Sequence, residues 1–445
     1  MNSIELKQPE LKQPFTLPCG VVVPNRLCKA AMTEGVANSK LQATHRHATL
    51  YKRWAEGGAG ILITGNVLLD RNILERPGNV SIDPAPEHGE PEGMDALRAW
   101  AKAGTSNGNH LWMQISHAGR QSPRYVTSQP VGPSAVQLEL LGNYAPPRAL
   151  REDEILDLIQ RFARVARIAK EAGFTGVQVH GAHGYLLSSF LSPVTNQRTD
   201  QWGGSLENRA RFLLEAVRAV RKAVGPAFPV AVKLNSDDFR KGGFSNEECL
   251  QVVKWLNDEK IDLLEISGGT YEQPRLLGHT GAADSVKDEQ PAQRESTKKR
   301  EAYFLNYARA IREVATMPLM VTGGFRSREA MEEALSDGVC DVIGLGRPLC
   351  THPDTPKQLM NGKIDRAASF ENMLKLADKG IFSPASPVLP LKLINVLGAQ
   401  AWYYQQIFRL ADGLEAKPSM SIIGAFFKYL FNEWTTAFKV KRSSR

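Results

Sequence analysis

Eight short apolar runs alternate with stretches of helical periodicity along most of this 445-residue chain, and this alternation limits the fold more than any other feature. Short apolar runs separated by helices predict the buried strands of a parallel sheet that helices cover. Eight such strands predict an α/β fold, a closed (β/α)8 TIM barrel, and no G-x-G-x-x-G motif is present to open a doubly wound sheet. The predicted strands are residues 27–31, 60–64, 111–116, 176–180, 229–234, 262–266, 319–322 and 341–345.

The composition is that of an ordinary globular protein with a mild positive charge. Hydrophobic residues make up 42% and charged residues 23%, and the formal net charge is +8. The basic residues are mostly dispersed and are not interleaved with aromatic side chains, so we expect no nucleic-acid partner. Five cysteines without C-x-x-C spacing, and an N-terminus without an apolar signal segment, predict a cytoplasmic protein. The longest apolar stretch, residues 422–431, is too short to cross a bilayer.

The most distinctive motif is His180-Gly-Ala-His-Gly-Tyr185, which follows the fourth predicted strand. Its two imidazoles, three residues apart, could donate hydrogen bonds to one carbonyl or anionic oxygen, and the phenol could deliver a proton. Polar groups at the carboxyl end of a barrel strand occupy the usual place of a reaction centre. Two other interpretations stay open: a purely structural histidine, or half of a zinc site that needs further ligands.

Glycine-rich segments follow the last two predicted strands. Thr322-Gly-Gly-Phe-Arg-Ser327 precedes a helical stretch, and Ile343-Gly-Leu-Gly-Arg347 closes the eighth strand. Glycine allows backbone N–H groups to approach a phosphate, and the N-terminus of a helix attracts its charge. Because many barrels of this kind bind phosphate after strands seven and eight, we expect a phosphate site in which Arg347 adds a bidentate contact.

The central part of the chain resembles the Old Yellow Enzyme family, fungal or bacterial FMN-dependent NAD(P)H oxidoreductases and ene-reductases. The resemblance rests mainly on His180-Gly-Ala-His-Gly-Tyr-Leu-Leu-Ser-Ser-Phe-Leu-Ser-Pro193, which Asn196-Gln-Arg-Thr-Asp200 and Gly203-Gly-Ser-Leu-Glu-Asn-Arg209 follow. Gln114-Ile-Ser-His-Ala-Gly-Arg120 and Pro24-Asn-Arg26 also match the family's pattern. The resemblance covers roughly residues 12–355.

This resemblance implies a role for each matching residue. His180 and His183 resemble the pair that binds the substrate's carbonyl oxygen, and Tyr185 resembles the proton donor. Thr33 stands where the family places a hydrogen-bond donor to the flavin C4 carbonyl. Gln114 resembles the residue that binds the flavin pyrimidine edge, and Lys233 the cation near flavin N1 and O2. The implied cofactor-binding residues are Ala31, Met32, Thr33, Asn66, Gln114, Lys233, Gly323, Gly324, Gly346 and Arg347, with no metal ligand.

The chain departs from the family's pattern at three places. Ala30-Ala-Met32 stands where many members have a proline, and Glu34-Gly-Val36 stands where some bacterial relatives have a tyrosine. After Arg347 there is a single cysteine, Cys350, instead of a four-cysteine run. We therefore do not expect the iron–sulfur cluster of the dienoyl-CoA-type branch.

Residues beyond the barrel are predicted to form a helical extension. The expected organisation is an FMN-binding barrel over residues 1–355, an irregular linker over 356–390 and the extension over 391–445, with helices at 391–414 and 419–441. These helices could pack on the barrel or on a second copy in a homodimer. Alternatively, residues 419–442 could contact a membrane surface, because an aromatic stretch precedes Lys439-Val-Lys-Arg442.

The expected function is an FMN-dependent oxidoreductase with a ping-pong mechanism. NADH or NADPH reduces the flavin and leaves, and an enone or enal then takes its place and is reduced at its activated C=C bond. Three alternatives stay open at this point. They are a redox-neutral flavin-dependent isomerase of an enone, a metal-dependent hydrolase that uses His180 and His183, and a flavin-binding interaction protein without turnover.

Overall fold

A closed barrel of eight parallel strands forms the body of the molecule. The computed structural model describes residues 10–83, 92–140, 142–268 and 305–443. The barrel closes because the first strand pairs with both the second and the eighth, which confirms the predicted TIM barrel. The strands are β1 (Leu27–Lys29), β2 (Ile61–Leu68), β3 (His110–Ser116), β4 (Gly176–Gly181), β5 (Val230–Asn235), β6 (Leu263–Ser267), β7 (Leu319–Thr322) and β8 (Val342–Leu345).

The strand boundaries agree with the predicted runs to within two residues except at β2. This strand continues to Leu68, past the predicted end at Thr64, because its ladder with β3 resumes at Asn66 after a shift of register. The irregularity lies beside Gly65, where an apolar run ends and strand periodicity is lost from the sequence. A bulge of this kind re-aims the side chains that follow it, and Asn66 is one of them.

Helices surround the barrel in the predicted alternation. α3 illustrates why they form, since three acidic residues occupy its first turn and Gly173 ends it in the left-handed conformation at φ +94°. Helical periodicity in the sequence also predicts a helix over residues 298–316, and the first part of this stretch lies outside the described residues. The helices are α1 (His45–Glu56), α2 (Met94–Gly104), α3 (Glu152–Ala172), α4 (Leu186–Leu191), α5 (Leu206–Val224), α6 (Asn246–Asp258), α7 (residues 305–312) and α8 (Arg328–Ser336).

The interior of the barrel changes from apolar to polar toward the carboxyl ends of the strands. Trp112 of β3 and Leu263 of β6 belong to a buried apolar layer. Two residues further along the same strands, and therefore on the same strand faces, Gln114 and Glu265 form a buried polar layer. A Cβ at Gly176 would lie 2.5 Å from the ring of Trp112, so glycine there gives the indole its space.

The chain beyond the barrel forms α9 (Thr355–Met360), α10 (Leu389–Ala411) and α11 (Ile422–Ser443). The predicted linker, residues 356–390, contains most of α9 and a 3-10 turn at Glu371–Met373. α10 begins slightly before the predicted residue 391, because Pro390 fits the first turn of a helix, where no N–H is required. The division of the chain at residue 355 stays a prediction. No described helix is long and apolar enough to cross a membrane.

The extension is joined to the carboxyl rim of the barrel by a buried ion pair. Arg76, in the loop after β2, pairs with Glu433 of α11, and its guanidinium lies 3.8 Å from the ring centroid of Tyr404 of α10. Tyr125, in the loop after β3, donates a 3.1 Å hydrogen bond to Glu433, and its ring stacks on Trp434. α11 therefore lies beside the loops that form the mouth of the barrel.

Candidate active site

The turn after β4 brings the two predicted imidazoles and the predicted phenol together. The ring of His180 lies 5.3 Å from that of His183 and 4.9 Å from that of Tyr185, centroid to centroid. The chain reverses at His183 and Gly184, which have left-handed φ angles of +63° and +78°. Tyr185 then occupies the N-cap position of α4. The three side chains are thus neighbours in space, and their roles stay predictions.

Contacts from three other segments hold His183 in its left-handed conformation. Its backbone N–H donates to Oδ1 of Asn235 at 3.0 Å, and its carbonyl accepts from Nε2 of Gln121 at 3.0 Å. Its ring Nε2 lies 2.7 Å from Oγ of Ser267. A left-handed residue other than glycine costs roughly 1–3 kcal/mol and persists where its surroundings enforce it, so the orientation of this imidazole is fixed by the fold.

Both imidazoles are neutral at neutral pH. Burial lowers the pKa of His180 well below its ordinary value, and the electrostatic interactions with His183 and with the charge of Lys233 lower it further. Burial, followed by the charge of Lys233, does the same to the pKa of His183. Nδ1 of His180 accepts from the backbone N–H of Ala182 at 3.2 Å, which assigns its proton to Nε2. When Ser267 donates to Nε2 of His183, the proton of that ring lies on Nδ1.

A chain of buried polar side chains crosses the barrel from β3 to β6. Nε2 of Gln114 donates to Gln178 at 3.1 Å, Gln178 donates to Glu265 at 2.7 Å, and Lys233 forms a 2.9 Å ion pair with Glu265. These contacts thereby orient two of the predicted contacts to the flavin ring, Gln114 and Lys233. The sequence analysis missed Gln178 and Glu265. Both could have been found from the sequence. Gln178 precedes His180 by two residues and therefore lies on the same strand face, and Glu265 is a charged residue within an otherwise apolar strand.

Thr33 and Asn66 meet at one carboxylate that the sequence analysis also missed. The Thr33 hydroxyl and the Asn66 amide each donate to Oε2 of Glu75 at 2.7 Å. Tyr144 is close enough to this carboxylate for its pKa to respond. Burial raises the pKa of Tyr144 to about 12, and the negative charge of Glu75 contributes to the rise. No periodicity or motif marks Glu75 in the loop after β2. The structure therefore brings together the ends of β1 and β2, where two of the predicted flavin contacts lie.

The residues directly after β1 lie beside the end of β8. Ala31 packs against the apolar layer of the barrel interior. Sδ of Met32 lies 3.5 Å from Sγ of Cys350, and a Cβ at Gly346 would lie 3.7 Å from the same sulfur of Met32. The predicted ring-binding segment after β1 thus adjoins the predicted phosphate-binding segment after β8.

The two arginines at the predicted phosphate site share a carboxylate from beyond the barrel. Arg347 and Arg326 lie 3.0 and 2.7 Å from the same oxygen of Glu371. Burial alone would raise the pKa of Glu371, but these two guanidinium groups outweigh it and lower the pKa to about 2. Arg326 lies within the Thr322–Ser327 motif but was not among the predicted phosphate-binding residues. The sequence analysis missed Glu371, whose segment carries no local signal.

The arrangement at this rim suits the ring and the phosphate of FMN, except that the single hydroxyl proton of Thr33 is donated to Glu75, so Thr33 would have to turn away from Glu75 to donate to a flavin carbonyl. Gly323 and Gly324 have left-handed φ angles of +120° and +84° between β7 and α8, so the loop can present backbone N–H groups beside the two guanidinium groups. Among the described residues, Oγ1 of Thr322 and Oδ1 of Asn66 are buried without a hydrogen-bond partner. Buried polar atoms normally have partners, and a polar ligand at this rim would supply them.

The part of the chain that the structure describes contains no group of three or more His, Cys, Asp or Glu residues placed to hold a metal ion.

The chain is similar in sequence and structure to known flavin oxidoreductases. Residues 10–366 match the family described as NADH:flavin oxidoreductase / NADH oxidase. The chain is 38% identical over 361 residues to the NADH-dependent flavin oxidoreductase iliE of Neonectria sp. (strain DH2), a match that covers 78% of this chain and 46% of that protein. It is 34% identical over 388 residues to the protein of the same name from Hypocrea jecorina (strain QM6a), covering 83% of this chain and 92% of that protein.

The chain thus spans about half the length of the first relative and nearly the whole length of the second. Among solved structures, it is similar to the old yellow enzyme homologue from Zymomonas mobilis, with a TM-score of 0.66 and 29% sequence identity. That likeness covers 82% of this chain and 96% of the other.

Proposed function

The chain belongs to the NADH:flavin oxidoreductase / NADH oxidase family, and we propose that it reduces the activated C=C bond of an enone or enal. Membership makes it an NAD(P)H-dependent flavin oxidoreductase with FMN as its cofactor. The proposal concerns the reaction, the substrate class and the residues. The observation that carries it is the turn after β4, where two neutral imidazoles and a phenol converge at the carboxyl end of a barrel strand.

The two imidazoles bind the carbonyl oxygen of the substrate. Nε2–H of His180 and Nδ1–H of His183 donate to this oxygen, and their hydrogen bonds strengthen as negative charge develops on it. Donors that the fold has already oriented need no reorganisation at that moment. Oγ of Ser267 lies 2.7 Å from Nε2 of His183 and positions this ring. In the tautomer that the proposal requires, with the proton on Nδ1, Nε2 accepts from the Ser267 hydroxyl.

Tyr185 supplies the proton. FMN, if held at this rim, would supply hydride transfer from NAD(P)H to the β-carbon of the substrate. The Tyr185 hydroxyl protonates the α-carbon, the product is the saturated carbonyl compound, and solvent restores the phenol. The ring of Tyr185 packs against that of His180, so the acid is held beside the site that binds the substrate oxygen.

The residues that hold FMN fall into two groups. Gln114, Lys233, Thr33 and Asn66, with the backbone at Ala31 and Met32, bind the ring. The loops that contain Gly323, Gly324 and Gly346 bind the phosphate together with Arg347. The nucleotide and the enone bind at the same site one after the other, which gives ping-pong kinetics. A separate dinucleotide-binding domain is then unnecessary. The hydrolase alternative is incompatible with family membership, since the family's redox chemistry is that of its flavin.

We place the protein in a reducing compartment, the cytoplasm. Its five cysteines are all free thiols, four of them buried, whereas secreted proteins commonly form disulfides. Fractionation of cells that make the full chain tests the location.

The function is tested by following the two half-reactions separately without oxygen. We expect the purified protein to release FMN on denaturation, and its bound flavin to be reduced by NADH or NADPH in a stopped-flow spectrometer. Mixing the reduced protein with an enone should restore the oxidised spectrum and yield the saturated ketone. The saturated ketone itself is the matched control and should not reoxidise the flavin. A protein reoxidised by oxygen but by no enone or enal would overturn the proposed reaction.

A further inference from the structure

Helix α11 carries a continuous apolar stripe that is exposed to solvent. Isolated exposed apolar side chains are common on protein surfaces, but a contiguous patch marks a site of interaction. Spacings of four, four, three and four residues place its members on one side of a helix with 3.6 residues per turn. The members of this aromatic stripe, with their exposed fractions, are Ile423 (45%), Phe427 (59%), Phe431 (70%), Trp434 (66%) and Phe438 (68%).

The opposite side of α11 is already fixed on the rest of the molecule. Ala425, Ala437 and Val440 are buried there, and Glu433 forms its buried ion pair with Arg76. Replacing one partner of such a pair is costly because a charge is left buried alone. The helix therefore cannot turn its aromatic stripe inward without breaking this pair.

The exposed charges of α11 all have the same sign. Lys428, Lys439, Lys441 and Arg442 are exposed, whereas the only acidic residue of the helix, Glu433, is buried. Phenylalanine and tryptophan beside basic residues are typical of helices that lie in the plane of a membrane interface. We propose that the aromatic stripe docks this protein on an anionic lipid surface, with the basic side chains at the lipid phosphates.

A second copy of the chain fits this face less well than lipid does. Two α11 helices joined stripe to stripe would bring their lysines and arginines together, and no exposed acidic side chain on α11 would compensate the repulsion. The cytoplasmic leaflet carries the opposite charge and attracts basic segments next to it.

Docking through α11 would bring the mouth of the barrel close to the lipid. Glu433 and Trp434 contact the loops after β2 and β3 at the carboxyl rim, which is the side of the barrel where the turn after β4 lies. If the proposed function holds, this position favours apolar enones that partition into membranes.

Vesicle sedimentation of the FMN-loaded full chain tests the docking. We expect binding to vesicles of phosphatidylcholine mixed with phosphatidylserine and much weaker binding to phosphatidylcholine alone. Phe427→Ser combined with Phe431→Ser and Phe438→Ser should weaken binding at least about tenfold, because apolar burial drives it. Lys439→Gln, Lys441→Gln and Arg442→Gln together should also weaken it at least about tenfold, since each basic residue near an anionic surface contributes about fivefold.

Val22→Ser combined with Leu156→Ser is the matched control, since it removes exposed apolar side chains from other places. It should bind as the parent does, and the FMN content of every variant shows that it has folded. Absence of vesicle binding, or unchanged binding by the triple serine variant, overturns the proposal. A parent dimer that the serine variant abolishes, without vesicle binding, assigns the aromatic stripe to self-association instead. The vesicle experiment contains no substrate. A failure of the docking proposal can therefore be distinguished from a failure of the proposed enone reaction.

Discussion

The turn after β4 and the phosphate end of the barrel are built in different ways. His180 at the end of β4, and His183 and Tyr185 in the turn after it, lie within six consecutive residues, so one short segment presents the proposed chemistry. The phosphate end is assembled from the loops after β7 and β8 and from Glu371, which comes from the segment after the barrel. The proposed reaction therefore depends on local geometry, whereas the proposed phosphate site depends on charges from distant parts of the chain.

The two regions also differ in charge. Burial keeps the imidazoles of the turn neutral, so they act as hydrogen-bond donors without a full charge. At the phosphate end, two guanidinium groups hold Glu371 ionised. Changes in the turn should thus alter the reaction with the enone, and changes at the phosphate end should alter FMN binding and stability.

The largest expected effect is that of Tyr185→Phe. This change keeps the ring beside His180 and removes only the hydroxyl proton, so flavin reduction by NAD(P)H should be nearly unchanged. Reoxidation by an enone should slow by roughly 10²- to 10⁴-fold, the usual contribution of a general acid. Stopped-flow measurement of each half-reaction checks this, with Tyr307→Phe on α7 as the control. Parental rates with every enone would show that Tyr185 is not the acid.

A smaller loss is expected from His183→Ala, which removes one of the two donors to the substrate oxygen. Reduction of the enone should slow by about 10²- to 10³-fold, as for the loss of an oxyanion-hole donor. His183→Asn is the matched control, because asparagine tolerates the left-handed conformation and keeps an N–H donor. The asparagine variant should therefore reduce the enone faster than the alanine variant, though more slowly than the parent. Equal rates for the alanine and asparagine variants would indicate that the ring serves only the fold.

At the other region, Arg347→Ala should weaken FMN binding and leave the chemistry of the bound flavin intact. Loss of a charge-assisted contact to phosphate costs about 1.5–3 kcal/mol, or roughly 10- to 150-fold in the dissociation constant. Quenching of FMN fluorescence during titration of the FMN-free protein measures it. Arg347→Lys keeps the charge and should lose less. An unchanged dissociation constant in the alanine variant would remove Arg347 from the phosphate site.

The smallest effect expected is that of Glu371→Gln on stability. The folded pKa of about 2 lies below the ordinary 4.5, so this carboxylate stabilises the fold above pH 4.5 and stops doing so as the pH falls through 2. Near neutral pH the variant should lose about 1–3 kcal/mol in its free energy of unfolding. Urea unfolding at neutral pH and near pH 3 should show this difference shrinking. The exposed Glu139→Gln serves as control, and a difference that is independent of pH would contradict the account.

The barrel and the turn after β4 could be predicted because both are local patterns. Strand periodicity places Gln114 on its face, and the His180–Tyr185 motif needs no partner from elsewhere in the chain to be noticed. Glu75 and Glu371 could not be predicted in this way. Each lies in a segment without helix or strand periodicity. Each reaches the site only because the barrel closes and the chain returns to its rim, and such long-range contacts leave no periodic pattern in the sequence.

Isotope transfer into the product tests the central claim most directly. The enzyme would reduce an enone once with its nicotinamide nucleotide deuterated at C4, and once with unlabelled nucleotide in heavy water. The account predicts deuterium from the nucleotide on the β-carbon and deuterium from solvent on the α-carbon, with the rate of the solvent labelling lowered by roughly 10²- to 10⁴-fold in Tyr185→Phe. A shifted double bond formed without nucleotide oxidation, or nucleotide deuterium on the α-carbon, would contradict it.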